Sequence, residues 1–216
     1  MKQRIYLIVN LVLLAAVGPG LMAQSNEATA GIDWYKTQFG TGGLGNCGPA
    51  AAAMGVYWAT LTDISVRQVR TEIGDTKYGR ATSLAQQKTV LDNHAVANSY
   101  TELSSIQNLV DIIDRGNIAI LWIHTGPLEK PSGDKTATRI GRYYEDEVGH
   151  YIVAKGYTAS KMYFVCHDPI PGDWATNTTR YPDGSMLGNN RHYAGAELWA
   201  SLMSKKVIEI SRQPLP

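Results

Sequence analysis

Asn46-Cys47-Gly48-Pro49-Ala50-Ala51-Ala52-Ala53-Met54 is the stretch on which the reading of this chain turns. Four glycines, Gly40, Gly42, Gly43 and Gly45, lead the backbone up to Cys47. Asn46 is a favoured N-cap residue, proline is tolerated in a first helical turn, and the alanines propagate a helix. The spacing therefore predicts a helix from Cys47 to about Tyr57 or Thr60, with the thiol at its N-terminus. There the helix dipole and the unpaired N–H groups favour an anion, so the sulfur should ionise more readily than a free cysteine. A cysteine packed as a small hydrophobe among alanines is the alternative at this stage.

Ahead of that stretch, Lys2 and Arg4 precede an apolar run from Ile5 to Val17, which Gly18-Pro19-Gly20 interrupts before Leu21-Met22-Ala23. This order of charged, apolar and small residues is that of a secretory signal peptide over residues 1–23, too short to span a bilayer comfortably. Cleavage is expected after Ala23, with Ala28-Thr29-Ala30 as the alternative, and the protein is expected to be secreted or periplasmic. Removing residues 1–23 takes away Lys2 and Arg4 and no acid, so the formal charge of +1 becomes −1. A nearly neutral chain gives no electrostatic case for nucleic acid or for an anionic membrane as partner. Residues 24–216 are long enough for one domain with a sizeable core.

Residues 24–33 are small and polar, and are expected to be poorly ordered. Trp34 and Tyr35 offer aromatic anchors for the N-terminal segment. Ser65–Ile73 and Leu84–Leu91 have loosely helical apolar spacing, and Thr101–Arg115 has it more clearly, with Thr101 or Ser104 as cap. The texture then changes. Ile118–Ile123, Tyr151–Ala154, Met162–Cys166 and Val207–Ile210 are short apolar runs that read as strands, the second and third joined as a hairpin. Ala194–Met203 reads as a helix. Helices first and strands later predict the α+β class. Residues 125–148 and 169–195 show no periodicity, and loops of that length are usually functional or mobile.

His150 follows Gly149 at the entry to a strand, and Asp168-Pro169 closes the strand after the hairpin. A histidine there is held on a rigid element, and the carboxylate can fix its tautomer and stabilise the imidazolium. Cysteine, histidine and acid thus stand in the order of nucleophile, base and orienting group. Gln38 is a candidate side-chain donor to an oxyanion, with the Cys47 main-chain N–H as the second. His167 is a rival base, although its position beside Asp168 on a strand points it to the other face. Two cysteines in an exported chain also raise a Cys47–Cys166 disulfide, which would consume the nucleophile. The glycines of residues 40–45 lack the Lys-Ser/Thr ending of a phosphate loop, and the cysteines and histidines lack the paired spacing of zinc ligands, so no cofactor or metal is expected. Asn177-Thr178-Thr179 is a formal glycosylation sequon.

Three pieces, Gln38 with Asn46-Cys47-Gly48-Pro49-Ala50, then Gly149-His150-Tyr151-Ile152-Val153-Ala154-Lys155-Gly156-Tyr157, then Tyr163-Phe164-Val165-Cys166-His167-Asp168-Pro169, resemble the papain-like cysteine peptidases related to the double-glycine bacteriocin-leader peptidases. The likeness is greater to their stand-alone exported relatives than to the domain fused to transporters, and covers residues 34–170. It implies a papain-like fold, a peptide or protein substrate, Cys47 as nucleophile, His150 as base, Asp168 as orienting acid and Gln38 in the oxyanion hole. The glycine-rich insertion before Cys47 departs from the pattern, leaving Asn46 and Gln24 as substitutes for Gln38, and Cys166-His167 before the acid departs too. The chemistry expected is peptide hydrolysis through an acyl-enzyme thioester. The alternatives are a cell-wall peptide amidase or an acyl transferase with the same residues, and a non-catalytic binding module with the disulfide.

Overall fold

A computed structural model describes residues 22–28, 31–40, 44–74 and 80–215. In chain order the elements are β1 (Met22–Ser25), α1 (Cys47–Thr60), α2 (Val66–Glu72), α3 (Leu84–Asn93), β2 (Ala97–Glu102), α4 (Ile106–Asp114), β3 (Ile118–His124), β4 (Gly149–Thr158), β5 (Tyr163–His167), β6 (Arg191–Ala194), α5 (Gly195–Ser201) and β7 (Lys206–Ser211). The strands form one antiparallel sheet in the order β2-β7-β3-β4-β5-β6, with β1 added along the far end of β4. This is the α+β class expected from the order of helical and strand texture.

The sheet is covered on both faces, and alternation along each strand divides the core. On one face α1 lays Ala51, Ala52, Ala53, Met54 and Trp58 against Tyr151, Val153, Ile208 and Ile210. On the other, α4 and α5 bring Leu109, Ile112, Ile113 and Leu198 against Leu121, Ile123, Ile152, Ala154 and Cys166. Helix α1 is buried on nearly every side, which explains its run of small residues: they let neighbouring elements approach its backbone closely. It ends at Leu61, which takes a left-handed conformation (φ 61°) and bonds back to the Tyr57 carbonyl. The Ser65 hydroxyl caps α2 by accepting from the Gln68 N–H at 3.0 Å, and Ser83 and Gln86 form a reciprocal capping box at α3.

Three expectations are corrected. The stretch Thr101–Arg115 is not one helix. Thr101 lies in β2, pairs with Val207 of β7 and donates its hydroxyl to Glu209 at 2.9 Å. Helix α4 starts only after Ser105, and the amides of Ser104 and Ser105 donate to the Asn108 side chain at 2.9 and 3.0 Å. Edge strand β2 is only partly buried, so it never shows the apolar alternation by which strands are read. Second, β6 lies inside residues 169–195, where no periodicity announced it. Third, Gln24–Ala28 is docked rather than loose. Gln24 and Ser25 pair with Tyr157 and Gly156, and the Asn26 side chain donates to the carbonyls of Ile113 (2.8 Å) and Asn117 (2.7 Å). Glu27 pairs with Lys155, whose side chain is 1% exposed. Residues 1–21, where most of the expected signal peptide falls, lie outside the described residues. Among those described, no helix is long and apolar enough to cross a membrane.

Candidate active site

Cys47 is the first residue of α1 and follows a 3-10 turn over Leu44–Asn46. Because that turn runs straight into the helix, Asn46 holds the N-cap position without capping through its side chain. Its Oδ1 accepts instead from Nε of the buried Arg70 at 2.6 Å, and Arg70 also donates to the carbonyls of Gly45 and Arg80. The arginine of α2 thus secures the chain entering α1, and with it the position of the sulfur.

His150 is the second residue of β4 and lies opposite Ile123 of β3. Its Nε2 donates to Oδ1 of Asp168 at 2.8 Å, which leaves Nδ1 as the ring nitrogen for the Cys47 sulfur, with which the imidazole is in hydrogen-bonding contact. Asp168 stands just beyond the end of β5, so the β4–β5 hairpin brings acid and histidine together across eighteen residues of sequence. All three groups are shielded from solvent: Cys47 is 7% exposed, His150 1% and Asp168 0%.

Burial by itself pushes the Cys47 thiol up. The hydrogen bond and charge of His150, with the main-chain N–H groups of Tyr151 and Gly48, outweigh it and bring the thiol below its ordinary value. Burial likewise pushes His150 down, but the Asp168 carboxylate and the Cys47 sulfur reverse this and raise it to about 10. Asp168 is held low: burial opposes its charge, and His150, Tyr193 and the Ile170 N–H overcome that. All three shifts favour a thiolate–imidazolium pair backed by an ionised acid over the neutral pair.

Sequence reasoning missed the shell around Asp168. Tyr144 and Tyr193 both donate to Oδ2, the first at 2.9 Å, and the Ile170 N–H donates to Oδ1 at 3.0 Å. Tyr35 donates to the main-chain carbonyl of the same residue at 2.8 Å, and the Tyr143 hydroxyl donates to the Ile170 carbonyl with the Asp168 carbonyl also in reach at 3.3 Å. Tyr143 and Tyr144 come from the loop of residues 125–148, and buried Arg191 clamps that loop by donating to the carbonyls of Thr138, Ile140 and Gly141. The two unassigned stretches therefore pack on one another and enclose the acid. The only hint in the sequence is the Tyr143-Tyr144 pair inside a charged, aperiodic loop.

Gln38 is buried, and its main-chain N–H donates to the Pro169 carbonyl at 2.9 Å, which ties it to the residue after Asp168. Gln24, the other substitute, is not at the site: it sits on β1 opposite Tyr157, seven residues along β4 from His150 or about 23 Å of strand. His167 faces the other way, as alternation requires. Its ring meets Trp34 edge-on at 4.2 Å, accepts from the Asn190 N–H at 3.4 Å, and is kept neutral by burial and by Lys155. Cys166 and Cys47 are both free, and they belong to the cores on opposite faces of the sheet, so the disulfide does not form. The Asn177 side chain of the sequon is buried, a poor position for a glycan. Among the described residues no three His, Cys, Asp or Glu side chains are grouped as metal ligands.

The Peptidase_C39 like family matches the chain over residues 23–196. Among solved structures, one described as a C39-like peptidase from Bacillus anthracis is similar at a TM-score of 0.51 and 11% identity, covering 79% of this chain and 90% of that one. The peptidase domain of Streptococcus ComA, a bifunctional ABC transporter involved in a quorum-sensing pathway, gives a TM-score of 0.49 and 15% identity over 83% and 98% of the two chains. No curated protein sequence matches. At such identities the likeness to the Bacillus anthracis protein is one of fold, whereas the family match spans most of the chain, from β1 to the start of α5. The chain therefore belongs to the Peptidase_C39 like family, and it is a cysteine peptidase of papain-like fold.

Proposed function

We propose that this protein is an exported peptidase that cleaves peptide bonds through Cys47, His150 and Asp168. The observation that carries this reading is the contact of the Cys47 sulfur with an imidazole whose far nitrogen is held by Asp168 at 2.8 Å. The thiolate attacks the scissile carbonyl carbon, and the carbonyl π electrons move to oxygen. The Gln38 side-chain N–H and the Cys47 main-chain N–H stabilise that oxyanion. As it collapses to a thioester, the C–N bond breaks and imidazolium His150 gives its proton to the leaving amine. Neutral His150 then takes a proton from water, whose oxygen attacks the thioester and releases the acid and the thiolate.

The pH dependence follows from the two shifts. Activity rises as Cys47 ionises, below the roughly 8.5 of a free thiol, and falls as His150 loses its proton near 10, the two limbs belonging to the coupled pair. Rates of Cys47 alkylation by iodoacetamide, read by peptide mass spectrometry, are expected to be high at pH 6–7 and to fall to those of an ordinary thiol in His150→Ala. Hydrolysis of a mixed peptide library should follow the same acid limb. A wild-type labelling profile with its midpoint at 8.5 or above would sink the mechanism.

The docked N-terminal segment supports release of the signal peptide before Gln24 rather than after Ala30. Cleavage at the later site would remove Asn26 and Glu27 and leave the Lys155 ammonium buried beside Trp34 without its carboxylate. The exported protein is expected to have an intact mass beginning at Gln24. A mass beginning at Gly31 would refute that assignment.

A further inference from the structure

A carboxylate that is fully buried needs more than one ion-pair partner to stay charged, because each lone pair left without a donor carries a desolvation cost. Asp168 meets this demand asymmetrically. Oδ1 takes His150 and the Ile170 N–H, whereas Oδ2 has two side-chain donors, Tyr144 and Tyr193, and the Tyr144 ring also meets the His150 ring edge-on with centroids 6.2 Å apart. The phenols arrive from separate elements, one from the loop of residues 125–148 and one from β6. Both are buried next to a negative charge, and burial and that charge hold them well above their ordinary value, so they remain protonated donors wherever Asp168 is ionised.

From this geometry we infer that Tyr144 and Tyr193 are positioning residues that tune the site through Oδ2 of Asp168. The inference rests on the proposed roles of Cys47, His150 and Asp168, and goes beyond them in assigning the tuning to two phenols. Each phenol spreads part of the carboxylate charge onto its own oxygen. Losing one raises the proton affinity of Asp168 and strengthens its uncompensated field. The acid then protonates at a higher pH, and its field disfavours the Cys47 thiolate more. The other titratable groups about Asp168 are His150 on β4, Cys166 near the end of β5, Tyr35 and Tyr143 near its carbonyl, and Tyr181, with the Arg191 charge acting on Tyr143, Tyr181 and Tyr193. Tyr35 donates its hydroxyl to the main-chain oxygen of Asp168, so it supplies an internal comparison: the same phenol chemistry and the same residue, but not the charged atoms.

The test is the pH profile of Cys47 alkylation by iodoacetamide in wild type, Tyr193→Phe, Tyr144→Phe and Tyr35→Phe. In the first two variants the acid limb is expected to move up by about one pH unit, a tenfold lower labelling rate at a pH below the limb, and further in the double variant. In Tyr35→Phe the limb is expected to stay in place even where the melting temperature falls. If one phenylalanine variant fails to fold, the other reports on the same oxygen. Limbs that coincide with wild type, or a shift in Tyr35→Phe as large as in Tyr193→Phe, would overturn the inference and leave the tyrosines as packing. A wild-type thiol without an activated limb is a different result, because it would count against the mechanism itself.

Discussion

Cys47→Ala is expected to lower the rate of peptide hydrolysis by at least about 10,000-fold while leaving the folded domain in place. The size follows from the chemistry: the sulfur forms the bond in the first step, and no other described thiol stands where it stands. Cys166 is no replacement, since it is fully buried in the core on the opposite face of the sheet, and burial and the Asp168 charge push its thiol up. The fold should tolerate the change. Alanine suits the first turn of a helix that already carries five alanines, and the deleted sulfur is small, so stability should change by only about 1 kcal/mol. Parallel measurements of peptide turnover and thermal unfolding separate the two effects. Full activity in a folded Cys47→Ala protein would refute the thioester mechanism.

Gly188→Ala should, unlike Cys47→Ala, cost a large part of the stability, although the residue takes no part in the chemistry. Gly188 is buried, and its carbonyl accepts from the Asp168 N–H at 2.9 Å. A Cβ placed there would lie 1.8 Å from the Asp168 carbonyl oxygen, 2.4 Å from the Tyr35 hydroxyl and 2.7 Å from the Tyr143 hydroxyl. The nearest of these is backbone, which cannot rotate out of the way, so the segment bearing Asp168 must move against β6 and the tyrosine shell. Overpacking together with disrupted buried hydrogen bonds costs about 3 kcal/mol. In a domain of this size that lowers the melting temperature by about 6–12 °C. Because the displaced residue is the acid behind His150, rapid labelling of Cys47 at neutral pH should be lost as well. A variant with wild-type melting and labelling would show that the two segments separate more easily than their contacts indicate.

The shifted groups also link pH to stability. His150 is raised, so its share of the stability is complete below the unfolded value near 6.5 and is lost as pH rises through about 10. Asp168 is lowered, so its share is present above the unfolded value near 3.9 and is lost as pH falls through the folded one. The window in which both contribute in full is a mildly acidic one, between those two unfolded values.

What the sequence by itself determined is what neighbouring residues determine. The glycines before Cys47 and the alanines after it place the thiol at a helix start. The apolar runs at Ile118, Tyr151, Met162 and Val207 make strands, and the short turn after Gly156 folds His150 and Asp168 onto adjacent ends of a hairpin. Alternation along β5 was enough to send His167 away from the site. Tertiary structure alone decided how the buried carboxylate stays charged, because its phenol donors lie 24 and 25 residues away, on opposite sides in sequence, and follow no period. It also decided the edges of the sheet. Strands β2, β6 and the N-terminal β1 are short or half exposed, so their stability comes from pairing with an existing strand and not from a pattern of their own. Local propensity is written in adjacent side chains, whereas the solvation of a buried charge and the pairing of an edge depend on groups that only the folded chain brings together.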